Sequence, residues 1–205
     1  MKSFNQWLTQ EVEEQFNLKR HETLPHLEQW LAAPITLTAL QEQQLEILQK
    51  KLRHFVEAWN EAELKMHFIS LLINLVDYET EHYHAFAERP MSLTIGKQKI
   101  KGVVDLLIAQ GWQIPKQPFF CLHEYKPSVP SSEDPIGQTL IAMVVAQHLN
   151  QTPRPMYGVC VVGRFWYFLV LVEQDYAISL AYDATKDDLF KLVAILLYLK
   201  VLIQA

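Results

Sequence analysis

Two apolar segments in the middle of the sequence contain charged residues, and this feature restricts the fold more than any other. Asp105 stands in GVVDLLIA (102–109), and Glu124 and Lys126 stand in FFCLHEYK (119–126). Segments of this composition are typical of buried strands. A charged group is costly to bury unless it is paired or bound to a metal ion. The chain is therefore expected to fold so that these three side chains neutralise one another or hold a cation.

The segment between the two strands, GWQIPKQP (111–118), contains a glycine and two prolines and is typical of a turn. The strands are thus predicted to form an antiparallel hairpin with a long loop. Residues two apart in a strand point to the same face, so Glu124 and Lys126 project together and Tyr125 projects to the other side. In the expected register Asp105 comes alongside Glu124.

Two carboxylates beside a lysine form a chemically competent group. Carboxylate oxygens are the ligands that Mg²⁺ prefers, and Mg²⁺ keeps several waters when it binds. A bound metal lowers the pKa of one of these waters and offsets negative charge on a phosphate. A lysine ammonium can orient that water and stabilise the pentavalent phosphate. The residues therefore predict phosphate chemistry with Mg²⁺ or Mn²⁺ as cofactor.

The surrounding sequence predicts an α/β (α+β) fold, in which a mixed central sheet is flanked by helices. Apolar residues recur at helical spacing over 60–78, where Asn60 is a plausible N-cap, and helices are also predicted over 131–150 and 186–203. Strands are predicted over 157–172 and 176–182, and Pro90 is expected to interrupt the strand at 84–95. The helix at 131–150 can be capped by Ser131, Ser132 or Asp134. We expect one domain over 1–205, with a helical N-terminal extension (1–59) and a core (60–205).

Composition favours an ordinary soluble protein, since half of the residues are apolar and a fifth are charged. No run reaches the roughly 18 to 20 apolar residues that a membrane span needs, and the first residues do not resemble a signal peptide. Cys121 and Cys160 lie in apolar runs without a metal-type spacing, which predicts buried free thiols. We therefore expect a cytoplasmic protein without a membrane partner.

The net charge of −5 argues weakly against nucleic-acid binding. The charge is uneven, however, because six cations and two anions lie between Arg89 and Lys126. Lys97, Lys99 and Lys101 alternate on one strand face just before the acidic residue of the hairpin. They could line a path for a phosphate backbone, or they could protect an exposed sheet edge, and the sequence leaves both open.

The order GVVD105, eighteen residues, E124-Y-K126 and then a helix resembles the PD-(D/E)XK nuclease superfamily. Val104 stands where that family often has proline. The resemblance implies a restriction-endonuclease-like fold and a metal-dependent endonuclease acting on DNA. On this basis Asp105 and Glu124 would bind the metal and Lys126 would position the attacking water.

The resemblance also extends to the flanking helices, where the sequence is similar to the nuclease domains of restriction subunits. There the core follows a helix whose glutamate reaches the metal site, which implies such a role for Glu61, with Glu63 as second choice. Many relatives carry a glutamine in the helix after the Glu-x-Lys strand, and Gln138 occupies that place. The resemblance thus implies catalytic roles for Glu61 and Gln138.

Other interpretations stay open. The three charged residues of the hairpin could be a buried salt-bridge network, Glu61 a first-turn helix acid and Gln138 a surface amide. The fold could be a catalytically silent module that binds nucleic acid or a partner protein, or a hydrolase of a sugar or small phosphate ester. His123 is expected to pack away from the site. DNA versus RNA, and a homodimer or partner subunit, are not decided by the sequence.

Overall fold

The fold is built on nine strands that form one mixed sheet in the described part of the chain. The computed structural model describes residues 2–128, 133–151 and 153–204. The strands are β1 (Lys2–Ser3), β2 (Lys19–His21), β3 (His84–Ile95), β4 (Gln98–Gln110), β5 (Lys116–Lys126), β6 (Met156–Val162), β7 (Phe165–Val172), β8 (Asp175–Ile178) and β9 (Tyr182–Asp183). They follow the order β1-β4-β5-β6-β7-β8-β2, while β3 pairs with β4 and β9 pairs with β7.

Helices cover both faces of the sheet, so the expected α+β class is confirmed. They are α1 (Thr9–Phe16), α2 (Pro25–Ala32), α3 (Ala39–Phe55), α4 (Glu61–Leu64), α5 (Ser70–Val76), α6 (Pro135–Asn150) and α7 (Asp188–Leu202). A π-helical turn at Lys65–Ile69 joins α4 to α5. None of the described helices is long and apolar enough to cross a membrane.

Two apolar cores lie on opposite faces of the sheet. One contains α1 and α6, with Trp7, Val12 and most of the apolar residues of α6. The other contains α2, α3, α5 and α7, and Trp30 is fully buried there. The predicted buried thiols are confirmed, because Cys121 and Cys160 are free and buried in the middle strands. The sheet is therefore held rigidly from both sides, which fixes the position of the charged residues on β4 and β5.

The predicted hairpin and the helix N-caps Asn60 and Asp134 are confirmed, although the helix bounds differ from the predicted ones by a few residues. Strands β4 and β5 are antiparallel, with Leu106 opposite His123 and Leu107 opposite Leu122. The N-cap of α4 is Asn60, whose side chain accepts the backbone N–H of Glu63. Helix α6 is capped by Asp134, whereas Ser131 and Ser132 lie outside the described residues.

The first 59 residues differ from the expected all-helical extension. Strand β1 pairs with β4 and β2 pairs with β8, so both strands are part of the central sheet. Helix α1 packs on α6, and Trp7 is buried in the core on that face.

The expected break at Pro90 is also wrong, since β3 continues through it and pairs Pro90 with Val103. Proline lacks the backbone N–H that would donate to a neighbouring strand. It is tolerated in β3 because an edge strand has no hydrogen-bonded neighbour on one side, where an N–H is not needed.

Candidate active site

Asp105 and Glu124 come together at the end of the β4–β5 hairpin, as the sequence predicted. Leu106 pairs with His123, and one further step of this antiparallel register places Asp105 opposite Glu124. The backbone N–H of Tyr125 donates to Asp105 Oδ2 at 2.7 Å. This hydrogen bond ties the carboxylate of one strand to the backbone of the next.

Lys126 contacts the carboxylate of Glu124, which lies two residues earlier in the same strand. Its Nζ is 3.1 Å from Glu124 Oε1, and the Glu124 side chain is 7% exposed. The same ammonium is 3.0 Å from Glu133 Oε2 and 4.0 Å from Glu61 Oε2. Glu133 precedes α6 and was not predicted as a site residue. The proximity of Glu124 and Lys126 follows directly from strand alternation.

A second lysine, Lys65, joins the site from the helical side and was also not predicted. Its Nζ is 2.7 Å from Glu61 Oε1, 3.0 Å from Glu88 Oε1 and 2.5 Å from Asp105 Oδ1. The spacing of Lys65 four residues after Glu61 is the usual spacing of an ion pair on a helix, and it was the available sequence signal. Glu88 carried no comparable signal.

Glu61, rather than Glu63, reaches the site. Its two carboxylate oxygens face the two lysines, Oε1 toward Lys65 and Oε2 toward Lys126. Glu63 instead accepts the backbone N–H of Asn60 at 2.9 Å and completes a capping box. The two acids of this helix end therefore have different partners, one in the site and one at the helix start.

Two irregularities of the backbone bring Lys65 and Glu88 to Asp105. Lys65 begins the π-helical turn, a feature that is rare and often found at functional sites. Glu88 has a φ of 51°, in the left-handed region, inside strand β3. The flanking pairs of β3 and β4 are Ala87 with Leu106 and Arg89 with Val104, so Glu88 stands opposite Asp105. Positive φ is costly for a residue other than glycine and has to be compensated by its surroundings.

The site contains more carboxyl groups than ammonium groups. Among the described residues the connected ion pairs join two lysines to five carboxylates: Glu61, Glu88, Asp105, Glu124 and Glu133. Burial and the nearby Asp105 charge raise the pKa of Glu124 to about 8, although Lys126 opposes this. Burial also raises the pKa of Asp105, against the effect of Lys65. The carboxylates therefore lack full charge compensation and favour a further cation.

The two lysines stay protonated. Burial alone would lower the pKa of Lys65, but its hydrogen bonds with Asp105 and Glu61 outweigh burial and raise it. The pKa of Lys126 is raised in the same way by Glu124 and Glu133. Each lysine is thus a fixed positive charge at neutral pH and is poorly suited to accept a proton.

Gln138 lies in the first turn of α6 and is 6% exposed, so the surface-amide alternative is wrong. Its Oε1 is buried and has no hydrogen-bond partner within residues 2–128, 133–151 and 153–204. An unpaired buried oxygen of this kind is unusual, because most buried polar atoms are hydrogen-bonded. A water or ligand donor would satisfy it.

His123 packs away from the carboxylates, as expected. Its Nδ1 lies 2.8 Å from the Tyr125 hydroxyl, and its ring meets Tyr78 edge to face. Burial lowers the pKa of His123 to about 3, so the ring is neutral. This histidine belongs to the core on the other face of the sheet.

Lys97, Lys99 and Lys101 are exposed, near the start of β4. Lys97 lies in the turn after β3, while Lys99 pairs with Thr94 and Lys101 pairs with both Ser92 and Ser3. At Lys101 the strand therefore has a neighbour on each side, and edge protection does not explain this lysine.

The donor set fits a metal ion that keeps most of its waters. Among the described residues, no group of three or more histidine, cysteine or acidic side chains is placed to hold a metal ion. Mg²⁺ is commonly held by one or two carboxylates, with water and substrate phosphate completing its ligands. Asp105 and Glu124 provide this minimal set. Each carboxylate oxygen has two lone pairs, so the Tyr125 N–H does not prevent Asp105 from binding a cation.

No model of a protein family matches the chain, and no curated protein matches its sequence significantly.

Proposed function

We propose that this chain is a divalent-metal-dependent nuclease of the PD-(D/E)XK type that hydrolyses phosphodiester bonds of DNA. The observation that carries the proposal is the meeting of Asp105, Glu124 and Lys126 at the end of two paired strands, with Lys126 Nζ 3.1 Å from Glu124. Two carboxylates and an adjacent ammonium suit phosphate chemistry better than glycoside chemistry, which requires two carboxyl groups and no lysine.

In this mechanism Asp105 and Glu124 would hold Mg²⁺ or Mn²⁺, which when bound would lower the pKa of a water and offset phosphate charge. Lys126 donates hydrogen bonds to the attacking water and to the phosphate oxygens. It does so as a charged donor rather than as a base, because its neighbours raise its pKa. Glu61 holds Lys126 from the opposite side, and Gln138 offers its unpaired oxygen to a water.

The test is cleavage of supercoiled plasmid, single-stranded DNA and RNA with Mg²⁺ or Mn²⁺, compared with EDTA. Lys126→Ala should reduce the cleavage rate by at least about 100-fold, because charged donors to a transition state contribute on that scale. Lys116→Ala is the matched control, since Lys116 is an exposed lysine at the other end of the same strand. Circular dichroism and melting temperature verify that both variants fold.

Full activity of Lys126→Ala would rule out this mechanism, and cleavage of RNA alone would rule out DNA as the substrate. A second candidate is a catalytically silent module that binds nucleic acid or a partner protein. It is favoured by the ion pairs that already engage Asp105 and Glu124. DNA binding without cleavage under every metal condition, by folded protein, would select this second function.

A further inference from the structure

Lys65 places a positive charge at a point where three carboxylates converge. Glu61, Glu88 and Asp105 each have an oxygen within 3.0 Å of its Nζ. They come from α4, β3 and β4, so the ammonium connects three separate elements. A simple surface ion pair needs one partner and contributes little. Oxygen atoms from several carboxylates around one positive charge are the surroundings that a bound metal cation also has.

The chain adopts two unfavourable local conformations to build this contact. The π-helical turn starts at Lys65, and Glu88 has a positive φ although it is not glycine. Such features are retained when the surroundings over-determine them, and they concentrate at functional sites. Both features act on the same carboxylate, Asp105, which is the proposed metal ligand nearest to them.

We propose that Lys65 is a built-in counter-cation that holds Asp105 while the site is free of metal and is displaced from it when a divalent cation binds. The inference rests on the proposed function, because it assumes that Asp105 is a metal ligand. An ammonium 2.5 Å from Asp105 Oδ1 and a divalent cation on the same carboxylate repel each other. This repulsion opposes the Lys65–Asp105 contact when a metal is bound, and the free energy of that contact therefore lowers the metal affinity of the protein.

Lys65 can leave Asp105 without losing all of its partners. Glu61 and Glu88 both stay available, and their side chains are 40% and 61% exposed. The lysine side chain itself is 24% exposed, so it is not enclosed. Displacement consequently requires rotation of one side chain and no movement of the sheet.

The first experiment measures Mn²⁺ affinity by calorimetry or by the electron paramagnetic resonance of free Mn²⁺. Lys65→Met should bind Mn²⁺ at least about tenfold more tightly than the unmodified chain, because the competing charged hydrogen bond is absent. Lys51→Met is the matched control, since Lys51 contacts His67 on the neighbouring helix rather than a carboxylate. Unchanged or weaker affinity in a folded Lys65→Met protein, or no Mn²⁺ binding by either form, would overturn the inference.

The second experiment uses the unmodified chain and so does not depend on the folding of a variant. Reductive methylation of lysines, followed by mass spectrometry, reports how accessible each ammonium is. Labelling of Lys65 should increase when Mg²⁺ is added, whereas labelling of the exposed Lys186 should not change. Equal labelling of Lys65 with and without Mg²⁺, at a concentration that saturates the site, would show that it is not displaced.

The two proposals fail in different ways. Tighter Mn²⁺ binding by Lys65→Met without any DNA cleavage would reject the nuclease and retain the competition at Asp105. Metal-dependent cleavage with identical Mn²⁺ affinity in both forms would retain the nuclease and reject the role of Lys65.

Discussion

Gly137 lies so close to Trp7 that a Cβ atom on the glycine would be 2.5 Å from the tryptophan carbonyl oxygen. The neighbouring Asp134 accepts hydrogen bonds from the backbone N–H and the hydroxyl of Thr9, at 2.7 and 2.8 Å. The first turn of α6 is therefore fixed to the N-terminal segment by backbone contacts. Since α6 also carries Gln138, this contact helps to position that side chain.

The first prediction concerns this contact. Gly137→Ala should lower the free energy of unfolding by about 1 to 3 kcal/mol, because the new methyl group meets backbone atoms that cannot rotate away. In Gly158→Ala the nearest atom belongs to the flexible Met143 side chain, so its cost should be smaller. Chemical denaturation measures both values, and equal losses would contradict the tight Trp7 contact.

Glu61 and Glu63 provide a pair of substitutions with opposite expected effects. Glu61→Ala should reduce cleavage about 10- to 100-fold, as expected for a residue that orients site groups. Glu63→Ala should leave cleavage unchanged and lower the free energy of unfolding by about 0.5 to 1 kcal/mol, because it removes half of the capping box. Plasmid cleavage and urea titrations separate the two. A larger cleavage defect in Glu63→Ala would reverse the assignment.

The buried amide of Gln138 allows stability and activity to be separated. Gln138→Leu should not lower the melting temperature, because the substitution removes a buried oxygen without a partner in the described residues. It should nevertheless slow cleavage if that oxygen orients a water. A loss of melting temperature together with full cleavage activity would show that the amide has only a structural role.

The exposed lysines at the start of β4 should contribute to DNA binding. Replacing Lys97, Lys99 and Lys101 with glutamine should weaken binding and lower the slope of log affinity against log salt by about 1 per lysine. The melting temperature should not change, since all three are exposed. A triple variant of other exposed lysines serves as the charge-matched control: Lys19, Lys50 and Lys186. Equal effects in both triple variants would show that only net charge matters.

Asp183 should make the free energy of unfolding depend on pH in the acidic range. It accepts hydrogen bonds from the Thr185 hydroxyl at 2.6 Å and backbone N–H at 3.0 Å. Burial would raise its pKa, but these bonds outweigh burial and lower the pKa below the ordinary 3.8. The resulting stability is present above that value and is lost as the pH falls through the folded-state pKa.

Asp183→Asn should therefore be less stable than the unmodified chain at neutral pH, by about 1.5 to 3 kcal/mol, the range for hydrogen bonds to charged groups. The difference should shrink in strong acid, where the aspartate is also neutral. Denaturant titrations at neutral and acidic pH measure it. A difference that does not depend on pH would contradict the lowered pKa.

The sequence predicted the hairpin part of the site because this part depends on patterns within short segments of the chain. Alternation along β5 places Glu124 and Lys126 on one face, and the turn composition of 111–118 brings Asp105 alongside, although the last three of these residues belong to β5. The helix that carries Glu61 was predicted by apolar spacing and by its cap, Asn60. These features depend on neighbours that are close in sequence.

The remaining parts of the site depend on conformations that no local pattern encodes. Glu88 contacts Lys65 from a left-handed backbone conformation within a strand, and Lys65 contacts Asp105 from a π-helical turn. Strands β1 and β2 are two and three residues long and polar, so they carry no alternating apolar pattern. They are defined by pairing with distant strands, and a pairing of this kind is invisible in the segment itself.

The pairing of β2 with β8 also has a consequence for synthesis of the chain on the ribosome. His21 and Asp175 contact each other across 154 residues of sequence. The segment that contains β2 leaves the ribosome long before β8 does, and it remains without its partner until β8 has been translated. Contacts between such distant residues slow folding. The complete sheet can therefore form only after β8 has been translated, and until then the apolar residues of the segment around β2 are accessible to chaperones.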